Sequence, residues 1–356
     1  MKKAYLILSN GTVFEGCKIG ADCESIGEVV FTTGMVGYLE TLTDPSYAGQ
    51  IVVQTFPLIG NYGVIPDDFE GKCAVKGYIV RELCNYPSNF RSEYNLDEFL
   101  KSHGICGICG IDTRLLTRIL REEGVMNGII SDSKEPDMEA VKNYKVQSVV
   151  EKVSSDSLSV FPADNCKKYR VALIDYGFKG SIIKCLQSRA CEVLVFPHNT
   201  PSEEVLKAEP DGIMLSNGPG DPAENLYEIK QIKKLIGKKP MFGICLGHQL
   251  TALALGGKTV KLKYGHHGAN QPVNDTFLKR TYITSQNHGY AVVSDTLKNI
   301  GREIFINAND GSCEGMSYKD LNAFTVQFHP EANGGPHDTE FLFDRFVEMM
   351  EENRNA

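Results

Sequence analysis

The chain has 356 residues, of which 42% are hydrophobic and 23% are charged, and its formal net charge is −8. This composition excludes a disordered or fibrous protein. The acidic balance, without a basic block, gives no electrostatic signature of nucleic-acid binding. The length predicts two domains, because a domain typically has about 150 residues.

The chain contains 11 cysteines, an odd number, and they follow no framework spacing. Such a set is typical of reduced thiols in a reducing compartment. The apolar run near the N-terminus, Ala4–Leu8, is too short for the hydrophobic region of a signal peptide. We therefore expect a cytoplasmic protein without a membrane span.

The first part of the chain is expected to be a mixed α+β domain. Asn10-Gly11 separates two short apolar runs, and this pair accepts the positive φ angles of a tight hairpin turn. Further strands are expected at residues 28–32 and 50–56, and helices at 96–102 and 113–123.

Polar stretches predict the end of this domain. They lie at residues 131–136 and 154–157, around a short helical piece. We place the first domain at residues 1–150, a linker at 151–168 and the second domain at 169–356.

The second domain alternates predicted strands and helices. Strands are expected at 171–174, 192–196, 212–215 and 241–244, and helices at 181–188, 202–207, 225–236 and 246–255. Repeated β-α units with nearly continuous apolar strands predict an α/β fold with a doubly wound, mainly parallel sheet. Functional side chains of such sheets lie at the carboxyl ends of strands.

The strongest chemical signal follows the strand at 241–244. Gly243 and Gly247 bracket Cys245 where the strand turns into a helix, which is the nucleophile-elbow pattern with cysteine in place of serine. A helix N-terminus favours the thiolate form of such a cysteine. The alternative interpretation is a buried core cysteine, which is common.

A nucleophilic thiol needs a base and a group that orients the base. His329 follows the apolar segment 324–328, and Glu331 lies two residues later, on the same side of an extended chain. The pattern predicts that His329 is the base and that Glu331 holds its ring. A strand-end histidine beside a solvated glutamate is the alternative.

A third segment, Leu215–Pro222, also follows a predicted strand. Its glycines, Gly218 and Gly220, bracket a proline, and such a loop can turn backbone N–H groups toward an anionic intermediate. The Leu246 N–H at the helix start could be another donor. Taken alone, the segment equally fits a plain turn.

Other motifs indicate no further site. Gly256–Thr259 resembles the end of a phosphate-binding loop but lies after a helix, so we expect no ATP site. Cys106 and Cys109 form a single C-x-x-C without a second pair, which argues against zinc. His266-His267 lacks a third ligand at useful spacing, so we expect a solvated loop there and no metal site in the chain.

Together these motifs resemble the triad-type, class I glutamine amidotransferase domain. Motifs of the first domain narrow the resemblance to the small-chain family of carbamoyl-phosphate synthase. These motifs are Thr33–Tyr38, Thr43–Tyr47, Phe56–Gly63 and Gly110–Arg114. The resemblance covers essentially the whole chain and implies an N-terminal small-chain domain followed by a glutamine amidotransferase domain.

The resemblance implies that Cys245 attacks the side-chain amide of glutamine, that His329 manages the protons and that Glu331 orients His329. It also implies a set of residues for binding L-glutamine and stabilising the oxyanion, one of them from the first domain. This set is Ser46, Gly218, Gly220, Leu246, Gln249, Asn287, Gly289 and Tyr290. Tyr290 and Phe328 depart mildly from the family pattern.

The resemblance further implies a partner. Ammonia would pass to a large chain that makes carbamoyl phosphate, for arginine or pyrimidine synthesis or both, and that chain would bind ATP, Mg and bicarbonate. We expect no cofactor in this chain and no nucleic-acid or membrane partner. Three alternatives remain open on the sequence: another glutamine amidotransferase subunit, a cysteine hydrolase on the same fold, and a structural subunit with an inactive site.

Overall fold

The computed structural model describes residues 2–355, which form two compact units that divide between Gln147 and Ser148. The first unit is built around a closed barrel with strand order β1-β2-β6-β5-β4-β3-β7. Its strands are β1 (Lys3–Leu8), β2 (Val13–Gly20), β3 (Ser25–Thr32), β4 (Gln50–Ile59), β5 (Gly77–Leu83), β6 (Cys106–Cys109) and β7 (Met126–Ser131).

Four helices accompany the barrel. They are α1 (Tyr38–Thr43), α2 (Leu96–Ser102), α3 (Thr113–Glu123) and α4 (Met138–Asn143). The α3 helix begins where the Asp112 carboxylate accepts a hydrogen bond from the Leu115 N–H and ends at Gly124, whose φ is 103°. The predicted hairpin, the strands near 28–32 and 50–56, and both predicted helices are present in the structure.

The second unit contains a ten-stranded sheet, with α5 (Val149–Val153) near its start. The sheet order is β14-β13-β15-β16-β17-β12-β11-β9-β10-β8. The strands are β8 (Ser159–Phe161), β9 (Tyr169–Asp175), β10 (Cys191–Pro197), β11 (Gly212–Leu215), β12 (Met241–Ile244), β13 (Thr259–Asp275), β14 (Thr281–Val292), β15 (Arg302–Asn307), β16 (Cys313–Tyr318) and β17 (Ala323–Val326).

Five strands, from β10 through β9, β11 and β12 to β17, pair in parallel. The remaining helices are α6 (Gly180–Gln187), α7 (Ser202–Lys207), α8 (Leu226–Leu235), α9 (Leu246–Ala254) and α10 (Phe341–Asn355). One apolar core contains Val205, Ile232 and Leu250, from α7, α8 and α9. The other contains side chains of α6 and α10, so the sheet is doubly wound, as the sequence predicts.

Residues 151–168, expected to be a linker, contain regular structure and belong to the second unit. Here α5 is followed by β8, which pairs antiparallel with the edge of the sheet at β10. The polar stretch at 154–157 that suggested a linker lies between α5 and β8, in an irregular segment of the second unit. None of the helices between residues 2 and 355 combines the length and the apolar character that a bilayer crossing requires.

Candidate active site

Cys245 lies at the turn between β12 and α9 with φ 52° and ψ −103°, a strained conformation for a residue other than glycine. At Gly243 and Gly247, the two glycines that bracket Cys245, there is no room for a side chain. A Cβ on Gly247 would come within 2.5 Å of the Leu215 carbonyl oxygen, and one on Gly243 within 2.9 Å of Thr325 Cγ2. The sequence therefore builds the tight turn that presents a nucleophile at the end of a strand.

The thiol itself is buried, with 2% of Cys245 exposed. The Cys245 N–H donates to the Val326 carbonyl at 2.8 Å, which ties the elbow to β17. Its Sγ lies 3.7 Å from the carbonyl oxygen of Asn287 on β14. The thiol thus lies between the central strands and the β13–β14 hairpin.

His329 follows β17, directly beside the strand that carries Cys245. The His329 N–H donates to the Ser285 carbonyl at 2.9 Å, and the ring Nδ1 lies 2.7 Å from Glu331 Oε1. The Nε2 atom is buried and has no hydrogen bond of standard geometry among the described residues. With Nδ1 held by the carboxylate, Nε2 is the atom left to exchange protons with a thiol.

The electrostatics of this pair favour a charged imidazolium. Burial and the Lys179 ammonium oppose protonation of His329, but the Glu331 carboxylate and a contact with the Cys245 thiol outweigh them and raise the pKa of the ring to about 9. Burial alone would raise the pKa of Glu331; His329 and Lys179, whose Nζ lies 3.5 Å from Oε1, lower it to about 2. Glu331 is therefore an anion that orients the His329 ring and stabilises its protonated form.

The loop after β11 is tied to the elbow. The Gly247 N–H donates to the Ser216 carbonyl at 3.1 Å, and the Ser216 hydroxyl accepts from the Tyr176 N–H at 2.9 Å. Gly218 packs so closely that a Cβ there would lie 2.3 Å from the Tyr176 carbonyl oxygen. Leu246 opens α9, where helix geometry leaves its N–H without an intrahelical acceptor. This loop and α9 thus meet beside the thiol.

Several expected glutamine contacts lie close to this centre. The Gln249 amide donates to the Tyr290 carbonyl at 2.9 Å and to Gln327 Oε1 at 2.9 Å, which ties α9 to β14. Asn287 Oδ1 lies 2.9 Å from His267 Nδ1. A Cβ on Gly289 would meet nothing within 4 Å, so the backbone borders open space there.

Two other expected contacts lie on loops. Gly220, in the loop after β11, has φ 90°, a conformation that favours glycine. Ser46 belongs to the first unit, where its N–H donates to Asp44 Oδ1 at 2.8 Å at the start of a short 3-10 helix. Its part in glutamine binding stays a prediction.

The solvated loop predicted for His266-His267 was wrong, because both histidines are buried within β13. His266 Nδ1 lies 3.2 Å from His288 Nε2 and 3.4 Å from Glu314 Oε1, and His266 Nε2 lies 2.9 Å from Asp310. Sequence reasoning missed this cluster because Glu314 comes from β16, 48 residues further along the chain than His266.

The cluster contacts β14, the strand that carries Asn287 and Gly289. Burial lowers the tendency of His266 to protonate, yet Glu314 and Asp310 outweigh it and raise its pKa. Burial and the neighbouring histidines hold the pKa of His288 well below its usual range, and His288 Nδ1 lies 2.8 Å from the Tyr290 carbonyl. The hydrogen-bonded contacts of His266 and His288 therefore support the segment that carries Asn287 and Gly289.

Comparison with known proteins agrees with this geometry. Residues 172–349 match the family model of class-I glutamine amidotransferases, and residues 6–130 match that of the carbamoyl-phosphate synthase small chain, CPSase domain. The fold, the elbow and the family match together define the second unit as a glutamine amidotransferase domain.

Full-length relatives extend the assignment to the whole chain. The carbamoyl phosphate synthase small chain of Fusobacterium nucleatum is 53% identical and covers 99% of both chains. That of Listeria monocytogenes serotype 4b is 51% identical and covers 98% of this chain and 97% of its own. A glutamine amidotransferase structure from Thermotoga maritima is far more distant, with a TM-score of 0.39, 19% identity, and coverage of 53% of this chain and 86% of its own.

The chain therefore belongs to the carbamoyl phosphate synthase small-chain family. It is the glutamine-hydrolysing subunit, which releases ammonia from glutamine for a large chain. This assignment removes the alternatives of an unrelated cysteine hydrolase and of a subunit serving another amidotransferase.

Proposed function

We propose that Cys245, His329 and Glu331 carry out the hydrolysis of glutamine in this subunit. The observation that supports the proposal most directly is the arrangement at two neighbouring strand ends: a strained cysteine elbow, and a histidine whose Nδ1 lies 2.7 Å from a buried carboxylate. A nucleophile, a base and an orienting group are the three parts that acyl transfer from an amide requires.

The steps follow from these positions. The Cys245 thiolate adds to the side-chain carbonyl carbon of glutamine, and the carbonyl oxygen becomes an oxyanion. His329, as an imidazolium, gives a proton to the departing nitrogen, so the C–N bond breaks, ammonia leaves and a γ-glutamyl thioester remains. His329, now neutral, takes a proton from water as the water adds to the thioester. The C–S bond breaks, glutamate leaves, and the Cys245 thiolate and the His329 imidazolium are restored.

Glu331 takes no proton in this scheme. Its carboxylate fixes His329 in the tautomer that exposes Nε2 and stabilises the imidazolium that forms. The low pKa of Glu331 supports this role, because the group stays ionised throughout the physiological pH range. Lys179, whose Nζ lies 3.5 Å from the same carboxylate oxygen, also favours the charged form of Glu331.

Backbone groups around the thiol would bind the oxyanion and part of the substrate. We propose that the Gly218 and Leu246 N–H groups stabilise the oxyanion, because the loop after β11 and the start of α9 meet beside the thiol. The rest of the glutamine molecule would contact the edge of β14 and neighbouring loops. The proposed binding residues are Ser46, Gly220, Gln249, Asn287, Gly289 and Tyr290.

The division of labour with the large chain is also proposed. The sequence offers no phosphate-binding loop in this chain, which supports binding of ATP, Mg and bicarbonate by the partner. The carbamoyl phosphate would serve arginine synthesis, pyrimidine synthesis or both. The eleven cysteines are all free thiols, which supports a cytoplasmic setting.

Trapping of the thioester tests the nucleophile assignment. The chain is mixed with isotope-labelled glutamine and quenched in acid, and the digested peptides are weighed. We expect a labelled γ-glutamyl group on the peptide that carries Cys245 and none in a Cys245→Ser chain. Cys185→Ser, which changes a partly buried thiol on α6, is the matched control and should trap label normally. Label on any other residue would refute the assignment.

A further inference from the structure

Two cysteines of the first unit face each other across an antiparallel ladder. In the pairing of β2 with β6, Cys17 lies directly opposite Cys109. Directly opposed residues in such a ladder have Cα atoms about 4.5–5.5 Å apart and side chains on the same face. A disulfide spans Cα separations of about 4.4–6.8 Å. The backbone therefore already holds these cysteines at a bridging separation.

The two thiols also influence each other. Burial raises the pKa of Cys109, and the neighbouring Cys17 raises it further. Both cysteines are partly exposed in the first unit, so a small oxidant has access to them. A pair of accessible thiols on one face of a ladder differs from an isolated core cysteine, because each sulfur can capture the oxidised form of the other.

The C-x-x-C motif cannot close on itself. Cys106 and Cys109 are three residues apart in one strand, so their side chains point to opposite faces. Cys106 is fully buried and its thiol lies close to that of Cys23, whose Sγ is 3.7 Å from the Gly104 carbonyl oxygen. Each cysteine of the motif thus has a separate neighbour outside it.

We propose that Cys17 and Cys109 form an oxidation site at which a hydroperoxide produces a reversible disulfide between β2 and β6. One thiolate attacks the peroxide, its O–O bond breaks, and a sulfenic acid and a water molecule form. The second sulfur then displaces the hydroxyl group as another water. In total, two S–H groups lose two electrons and two protons, and hydrogen peroxide is reduced to two water molecules. A thiol reductant reverses the change.

The bond would link β2 to β6 between residues that lie 92 positions apart in the chain, since it joins residue 17 to residue 109. A cross-link over such a long loop stabilises mainly by restricting the unfolded chain. Neither cysteine belongs to the proposed catalytic machinery. The expected consequence is therefore greater resistance of the first unit to unfolding, with glutamine hydrolysis retained after reduction.

Peptide mapping tests the site. The full chain with Cys245→Ser, which removes the catalytic thiol as a competing target, is treated with hydrogen peroxide. It is then alkylated and digested with trypsin without reductant. We expect peptide 4–18 linked to peptide 102–114, at the sum of the two masses minus two hydrogens, and loss of the link after a reductant is added. The added changes Cys17→Ser and Cys109→Ser should each abolish it.

Cys84→Ser, which changes a partly exposed cysteine of the same unit, is the control and should leave the link intact. The proposal is wrong if peptide 102–114 links only to peptide 19–72, which would identify the Cys23–Cys106 pair instead. It is equally wrong if peroxide leaves both thiols free or carries Cys17 to the sulfinic acid.

A second readout covers the case in which a serine variant folds poorly. The oxidised Cys245→Ser chain should require more urea for half-unfolding than the reduced chain. That difference should vanish in chains that also carry Cys17→Ala or Cys109→Ala. An equal urea midpoint before and after oxidation would contradict the proposal.

Discussion

The proposed catalytic half of the site and its proposed recognition half lie in differently paired parts of one sheet. Cys245 and His329 follow β12 and β17, neighbouring parallel strands at the centre of the sheet. Asn287 and Gly289 lie on β14, which pairs antiparallel with β13 through two irregularities of register. The comparison suggests that strand ends fix the reacting groups, whereas the hairpin can vary to suit the substrate.

Among changes that keep Cys245, the largest effect should come from removing the proposed base in the catalytic half. His329→Asn leaves no group that can pass a proton between Cys245 and the leaving nitrogen, so kcat for glutamine hydrolysis should fall by about 10²–10⁴-fold. The measurement is steady-state glutaminase activity, with the folded state checked by thermal unfolding.

His198→Asn is the matched control, because His198 Nδ1 also lies 2.6 Å from a carboxylate, that of Glu228, but follows β10, three positions away from β12 in the sheet. It should retain most activity. Near-normal turnover by His329→Asn would show that another residue is the base, with His288 the next candidate.

The two halves should also differ in how well a glycine position tolerates an added methyl group. A Cβ at residue 247 would clash with the Leu215 carbonyl and Cβ, whereas one at residue 289 would meet nothing. Gly247→Ala should therefore lower the free energy of unfolding by about 1–3 kcal/mol, the usual cost of overpacking. Gly289→Ala should leave stability unchanged and raise the KM for glutamine. Urea unfolding and glutaminase kinetics measure the two effects, and the opposite pattern would place the crowding in the hairpin.

An effect of similar size should follow from a change in the recognition half. Asn287→Ala removes a polar partner of the substrate and should weaken kcat/KM for glutamine by about 1–3 kcal/mol, with the loss mainly in KM. His267→Asn tests whether His267 holds the Asn287 side chain in position, because His267 Nδ1 lies 2.9 Å from Asn287 Oδ1. An unchanged glutamine dependence in Asn287→Ala would place this side chain outside the pocket.

The smallest effect concerns pH. The raised pKa of His329 adds stability that is complete below its ordinary value of 6.5 and is lost as the pH rises through the folded value. The lowered pKa of Glu331 adds stability that is complete above its ordinary value of 4.5 and is lost as the pH falls through the folded value. Glu331→Gln should therefore destabilise the protein most between pH 4.5 and 6.5 and progressively less toward pH 9.

Urea unfolding of the wild type and Glu331→Gln across this range measures the difference. Glu340→Gln, which changes a partly exposed acidic residue near Arg189, is the control and should show no such window. A destabilisation by Glu331→Gln that does not vary with pH would argue against charge coupling in the catalytic pair.

The same comparison explains how much the sequence could predict. The elbow around Cys245 and the contact of His329 with Glu331 depend on residues a few positions apart, so local spacing was sufficient to predict both. The parallel strands were predicted because each is a nearly continuous apolar run.

The β13–β14 hairpin was not predicted from the sequence. Its two strands expose many polar side chains and lack a regular alternation of apolar and polar residues. Their register is set by their pairing with each other. The cluster of His266 with Glu314 and the closure of the first barrel depend on strands that are distant in the chain. Pairing of that kind is decided by tertiary packing and leaves little trace in a local window.

We propose that Cys245 is required only to release ammonia from glutamine. The most direct test assembles Cys245→Ser with the large chain and measures carbamoyl phosphate with glutamine and then with an ammonium salt. We predict a loss of about 10³–10⁶-fold with glutamine, because a serine hydroxyl at the elbow is a far weaker nucleophile, and near-normal synthesis with ammonium. Equal loss with both nitrogen sources, or loss with neither, would contradict the account.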